Sequence, residues 1–154
     1  MTAIKSESLD TPVVRELILA LNAELDQRYP EEGANHFRLD PQEVGPGRGA
    51  FLVAYEGGVA AGCGAVRLNE PDVAEIKRMY VVPTMRGRGI AGKILAELEV
   101  KARELGVRQL VLETGARQPE SIAVYRRAGF SEIPLFGEYL TTPLTSLCMG
   151  KQLR

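Results

Sequence analysis

The sequence predicts an α/β fold built on one mixed, mostly antiparallel sheet with helices on both faces. Three observations carry this expectation. Gly57-Gly58 separates two β-like runs and Pro71-Asp72 leads into a third, which makes an antiparallel meander. The third run ends at Val82-Pro83 and passes through a short glycine-rich turn into a helical pattern. A further strand-like run follows that helix, and a strand reached by a helical crossover pairs parallel to an earlier one. At 154 residues, a single domain spanning 1–154 is expected.

Each element has a local cause. Residues 3–7 read as a short opening strand. Thr11 is placed as a helix N-cap, with Pro12 at the first helical position, where its fixed φ suits the turn and its missing N–H costs nothing. Val14, Leu17, Ile18, Leu21 and Leu25 recur at helical spacing, and the helix is expected to end before Tyr29-Pro30. Residues 31–48 form a polar connection, long for a compact domain, which carries the only histidine, His36. A surface role is the expectation for that histidine.

The meander runs through residues 50–56 (AFLVAYE), 59–69 (VAAGCGAVRLN) and 73–82 (VAEIKRMYVV). Gly62 and Gly64 inside the second strand signal a bulge or a close approach by other backbone. In the third strand, simple alternation assigns Glu75, Lys77, Met79 and Val81 to one face and Ile76, Arg78, Tyr80 and Val82 to the other. A helix over residues 90–105 presents Ile90, Ile94, Leu95, Leu98, Ala102 and Leu105 on one face and stops at Gly106. Residues 108–113 (RQLVLE) read as a buried central strand. A second helix covers 119–127 and stops at Gly129, and strands over 130–133 and 144–153 complete the order β-α-βββ-α-β-α-β-β.

Composition narrows the function. With 19 Lys+Arg against 20 Asp+Glu the net charge is −1, so no global field favours nucleic acid or anionic lipid, and any anion site must be local. Cys63 and Cys148 lack metal-ligand or CxxC spacing and read as free thiols in a reducing compartment. The N-terminal residues lack the apolar core of a signal peptide, and no apolar run approaches the ~18 residues of a membrane span, so the cytoplasm is the expected location. The acidic positions Glu24, Asp26, Glu31 and Glu32 lean slightly toward a cationic partner.

The strongest chemical signal is the string Arg86-Gly87-Arg88-Gly89-Ile90-Ala91. A strand, a glycine turn and a helix start expose several N–H groups at the positive end of a helix dipole, which suits a phosphate or pyrophosphate. Two nucleotide motifs fail. No G-x-x-x-x-G-K-[ST] string occurs, and a dinucleotide fingerprint would open a parallel βαβ unit rather than follow a meander.

The string does resemble the cofactor motif of the GNAT family of N-acetyltransferases, Arg/Gln-x-x-Gly-x-Gly/Ala after a strand ending in Val-x-Pro. Arg86, Gly89 and Ala91 match, and Val81-Val82-Pro83 precedes them. Downstream, Val124-Tyr125-Arg126-Arg127-Ala128-Gly129-Phe130 resembles the family's Leu-Tyr-x-x-x-Gly-Phe, and the likeness covers roughly residues 50–133. It implies an acyl-CoA N-acyltransferase fold and acetyl-CoA as cofactor. The pyrophosphate would lie on Arg86, Gly87, Arg88, Gly89, Ile90 and Ala91, and the pantetheine would pair with the backbone of Met79, Tyr80 and Val81.

The resemblance also implies chemistry. Tyr125 falls on the tyrosine that protonates the departing CoA sulfur, a role that suits a phenol protonated near neutral pH. Glu75 coincides with a glutamate serving as base in one branch; the competing reading is a salt bridge to Lys77 or Arg67. The Val81 N–H is the expected oxyanion donor. Many members carry Asn where this chain has Gln118, which offers similar amide hydrogen bonds from a longer stem. Cys63, on a buried strand, is expected to be inert. The implied reaction is direct acetyl transfer to a primary amine, of a small molecule or, alternatively, of a protein lysine or N-terminus. A non-catalytic acyl-CoA sensor is the competing class. No metal is implied, and homodimers are common in the family.

Overall fold

The computed structural model describes residues 2–30 and 39–153; His36, Glu31 and Glu32 lie outside them. The chain runs β1 (Thr2–Ser6), α1 (Pro12–Arg28), β2 (Gly49–Glu56), β3 (Val59–Glu70), β4 (Val73–Val81), α2 (Ile90–Glu104), β5 (Gln109–Gly115), α3 (Pro119–Arg127), β6 (Ser131–Ile133) and β7 (Ser146–Gln152). All seven strands form one sheet in the order β1-β2-β3-β4-β5-β7-β6, and β4–β5 is its parallel pair. Short 3₁₀ turns at Pro41–Val44, Pro83–Met85 and Gly137–Thr141 punctuate the connections. Among the described residues no helix is long and apolar enough to cross a membrane.

The helix signals work as their chemistry requires. Thr11 Oγ1 accepts the Val14 N–H at 3.3 Å, and Pro12 opens α1. α1 buries Val14, Leu17 and Leu21 against Phe51, Val53, Cys63, Ala65 and Tyr80 on one face of the sheet. On the other face, Ile90, Ile94, Leu95, Leu98 and Ala102 of α2 pack with Ile76, Leu110, Leu112, Tyr125 and Phe130. Each large aliphatic side chain so buried contributes about 1.5–3 kcal/mol, which is why α2 is anchored along its whole length. The polar connection after α1 is more ordered than its composition suggests near its end, where the Asp40 N–H donates to Glu43 at 2.9 Å.

Simple alternation along β4 fails beyond Lys77. Arg78 has φ 59°, and the β3–β4 register jumps from Ala65↔Lys77 to Cys63↔Tyr80, so Gly64 faces both Arg78 and Met79. This β-bulge adds one residue and inverts every later side chain. Met79 and Val81 therefore join Ile76 on the α2 side, whereas Tyr80 packs with α1, and Glu75 does not share a face with Met79. The two strand glycines fit this geometry. A Cβ on Gly64 would lie 2.5 Å from Met79 Sδ, and one on Gly62 would lie 2.6 Å from the Tyr80 carbonyl oxygen.

Parallel pairing of β4 with β5 covers only Val73↔Gln109 to Ile76↔Leu112. Beyond it the two strands part, while β5 stays paired with β7 as far as Gly115↔Ser146. The sheet thus opens into a fork whose arms are the ends of β4 and β5.

Because the neighbour of Gly62 is backbone, Gly62→Ala should cost about 1–3 kcal/mol, read as a lower urea midpoint. An unchanged midpoint would mean that β3 and β4 separate freely at this point.

Candidate active site

A groove of about 840 Å³ runs from the turn before α2, across the fork, to α3. Of the positions the resemblance assigned to a cofactor, Met79, Tyr80, Val81, Arg86, Gly87, Gly89, Ile90, Ala91, Gln118 and Tyr125 line it; Arg88 does not. The turn is shaped by Gly87 and Gly89, at φ 81° and 78°, where a side chain would strain the backbone. The first bond of α2 runs from the Lys93 N–H to the Gly89 carbonyl at 3.2 Å. The N–H groups of Ile90, Ala91 and Gly92 therefore have no acceptor within the helix, and all three residues line the groove.

Arg86 is already committed. Its Nε donates to the Val81 carbonyl at 2.9 Å, its Nη2 pairs with Glu24 of α1 at 2.7 Å, and its guanidinium lies 5.7 Å from the Tyr80 ring centre. It ties the turn to β4 and α1, so Glu24 serves this bond rather than a cationic substrate. The Val82 N–H bonds the Ala61 carbonyl at 2.8 Å. Backbone alternation then turns the Val81 N–H away from β3 and into the fork.

At the fork the groove meets a smaller pocket of about 100 Å³, walled by Lys77 and Arg78 of β4, Glu113 and Thr114 of β5, Tyr29 and Tyr139. Tyr125 lines both spaces. Burial, reinforced by the charge of Glu113, pushes its phenol well above the ordinary value, so it stays protonated throughout the neutral range. Phe130 meets it edge-on at 6.0 Å between centroids. Gln118 also lines both spaces, yet its Oε1 accepts the Gly115 N–H at 3.1 Å and closes the β5–α3 turn.

Glu75 sits elsewhere. It is 1% exposed, accepts from Arg67 Nη2 at 3.0 Å and from the Tyr139 hydroxyl at 2.5 Å, and lines neither the groove nor the pocket. Arg67 is braced in turn by Glu43. Of the two readings of Glu75, the structure forms the salt bridge to Arg67; Lys77 pairs instead with Glu138 at 3.1 Å. Cys63 is fully buried, its thiol pushed up to about 12 by burial, which suits an inert packing role.

Sequence reading passed over Glu113. Burial pushes its carboxyl up to about 7, Glu75 adds to the rise, and a hydrogen bond from Ser146 together with Lys77 opposes it. The visible signal was an acidic residue closing the apolar run RQLVLE. What could not be read was that the neighbouring strand leaves just before it.

A model of the acetyltransferase (GNAT) family matches residues 15–130. The chain is 41% identical to an IAA acetyltransferase of Azospirillum brasilense over 99% of its own length and 98% of the relative's. Among solved structures, one described as an acyl-CoA N-acyltransferase from Klebsiella pneumoniae superposes with a TM-score of 0.84 at 34% identity, covering 100% of this chain and 99% of that one. A GNAT acetyltransferase from Elizabethkingia anophelis with acetyl-CoA bound shares the fold, with a TM-score of 0.72 at 18% identity over 99% and 98% of the two chains.

The bonding of Glu75 makes a distinguishing prediction. Glu75→Gln leaves Arg67 with less compensation in a buried site and should cost about 3 kcal/mol of stability, while turnover per folded molecule stays within a few-fold. A loss of turnover above about 100-fold, the range typical of a missing general base, in enzyme shown to be folded would return the base role to Glu75.

Proposed function

The chain belongs to the acetyltransferase (GNAT) family and is an N-acetyltransferase; we propose that it takes its acetyl group from acetyl-CoA and passes it directly to the primary amine of a small molecule. The observation that carries this reading is the fork itself, where a long groove with unbonded helix N–H groups meets a small polar pocket and Tyr125 stands on the wall of both. The residues fit the cofactor: an anion-holding helix start at one end, an outward-turned strand N–H in the middle, and a buried phenol at the other.

Acetyl-CoA, when bound, supplies an acyl group activated as a thioester. The N–H groups of Ile90, Ala91 and Gly92 would hold its pyrophosphate at the positive end of α2. The Val81 N–H, turned into the fork, would stabilise the charge that grows on a thioester carbonyl oxygen during attack. Tyr125 would supply the proton that the departing thiolate needs. The proton lost by the amine goes to Glu113, whose pKa of about 7 suits an acceptor working near neutral pH. The pocket, at about 100 Å³, admits a small amine group rather than a folded surface. The Azospirillum relative, named for IAA, supports a small-molecule acceptor.

Two variants test the assignment against a panel of small amines. Tyr125→Phe should lower kcat about 100-fold and leave the acetyl-CoA Kd within about twofold, since its hydroxyl acts on the leaving group; an unchanged kcat would sink the acid role. Glu113 must be ionised to accept a proton, so kcat/KM of the wild type should rise with pH through about 7. Glu113→Gln should abolish that limb. Binding of acetyl-CoA with no turnover on any amine would favour a sensor instead.

A further inference from the structure

Burial alone would keep Glu113 protonated where its ionised form is needed. The groups facing it are Glu75 and Lys77 from β4, Glu138 and Tyr139 from the turn before β7, Tyr125 from α3, Tyr29 at the end of α1 and Cys148 from β7. The acidic members are engaged with other partners: Glu75 with Arg67 and Tyr139, Glu138 with Lys77. Lys77 is the cation that opposes the rise, and its ammonium pairs with Glu138 at 3.1 Å. Among the described residues the hydrogen bond to Glu113 comes from Ser146, whose Oγ donates to Oε2 at 2.6 Å.

Ser146 opens β7 and is buried at 6% exposure. In the β5–β7 register Glu113 lies opposite Cys148 and Gly115 opposite Ser146, so the serine reaches its partner along the diagonal of one sheet face. Its direction is determined by a second hydroxyl. Thr142 Oγ1 lies 2.7 Å from Ser146 Oγ. A serine hydroxyl has one proton, and Ser146 spends it on Glu113, so the 2.7 Å contact carries a proton only when Thr142 gives its own to Ser146 in preference to the Tyr139 carbonyl, which lies farther off at 3.3 Å. The Ser146 N–H bonds the Thr142 carbonyl at 3.0 Å, and the Thr142 N–H bonds the Tyr139 carbonyl at 3.1 Å, which pins both hydroxyls to the same turn. The result is a directed chain, Thr142 to Ser146 to Glu113, in which each bond polarises the next.

We infer that Ser146, oriented by Thr142, is a positioning residue that holds the Glu113 carboxylate ionised and in place for the acceptor's proton. The inference rests on the reading of Glu113 as the proton acceptor. Ser146 touches neither cofactor nor acceptor; it acts through Glu113. Its hydrogen bond favours the charged carboxylate, so removing it raises the pH at which the base becomes available.

The test is the pH profile of kcat/KM with acetyl-CoA and an aliphatic amine acceptor whose own proton leaves near pH ~10. Ser146→Ala should move the limb near pH 7 upward by about one unit, a fall of about fivefold at pH 7 that vanishes by about pH 9, with the acetyl-CoA Kd unchanged. Thr142→Val should move it in the same direction by less, and Ser146→Thr, which keeps a hydroxyl, should restore it. A limb that stays put in Ser146→Ala, or a loss by the same factor at every pH, overturns the inference while leaving Glu113 in its role. A wild-type profile with no limb that Glu113→Gln removes overturns the Glu113 reading, and this inference with it.

Discussion

The bulge at Arg78 and Met79 opposite Gly64 is the constraint on which the rest of the site depends. It lies two residues beyond the last β4–β5 pair, at Ile76↔Leu112. A bulged strand bends and twists more strongly than its neighbours, and β4 leaves β5 at this point while β3 and α2 continue to hold it. Three consequences follow from the one irregularity. The sheet opens into a fork, the Val81 N–H faces the opening, and the side chains of β4 exchange faces. Gly62 and Gly64 make this possible because a Cβ at either would meet Tyr80, Met79 or Ile94 at less than van der Waals separation.

Around that opening the protein keeps two carboxylates in different surroundings. Glu75 is paired with Val111 in the parallel register, within the zipped part of the sheet. There Arg67 and Tyr139 bond both its oxygens, and it supports the sheet as part of a buried network with Glu43. Glu113 is two residues further along β5, where β4 has already gone. It has lost a strand neighbour, gained a pocket, and retains one hydroxyl donor. Neighbouring carboxylates can be set apart in this way by what surrounds them, one bonded on both oxygens and the other open to a pocket. Tyr125 completes the contrast, since the same burial that moves Glu113 toward neutrality holds the phenol in its donating form.

The cofactor end shows a similar division of labour. The arginine of the motif, Arg86, spends its hydrogen bonds on Val81 and Glu24 and shapes the turn, while the N–H groups of residues 90–92 are left without an acceptor within the helix. Because Glu24 belongs to α1, the helix that walls the smaller pocket through Leu21 and Leu25 is tied to the turn that walls the groove.

By itself the sequence determined the element order, the Gly57-Gly58 hairpin, the Thr11-Pro12 helix start and the glycine turn into α2, because each is set by contacts within a few residues. All but one of the positions it assigned to a cofactor, Tyr125 among them, line the groove, since a glycine turn and a helix start carry their chemistry locally. What only the tertiary structure decided was which side chains face the fork. One extra residue in β4 inverted the alternation that had put Glu75 with Met79, Arg67 across the hairpin claimed Glu75, and the parting of β4 from β5 gave Glu113 its pocket. Those outcomes depend on pairing between segments tens of residues apart, and local periodicity carries no record of it.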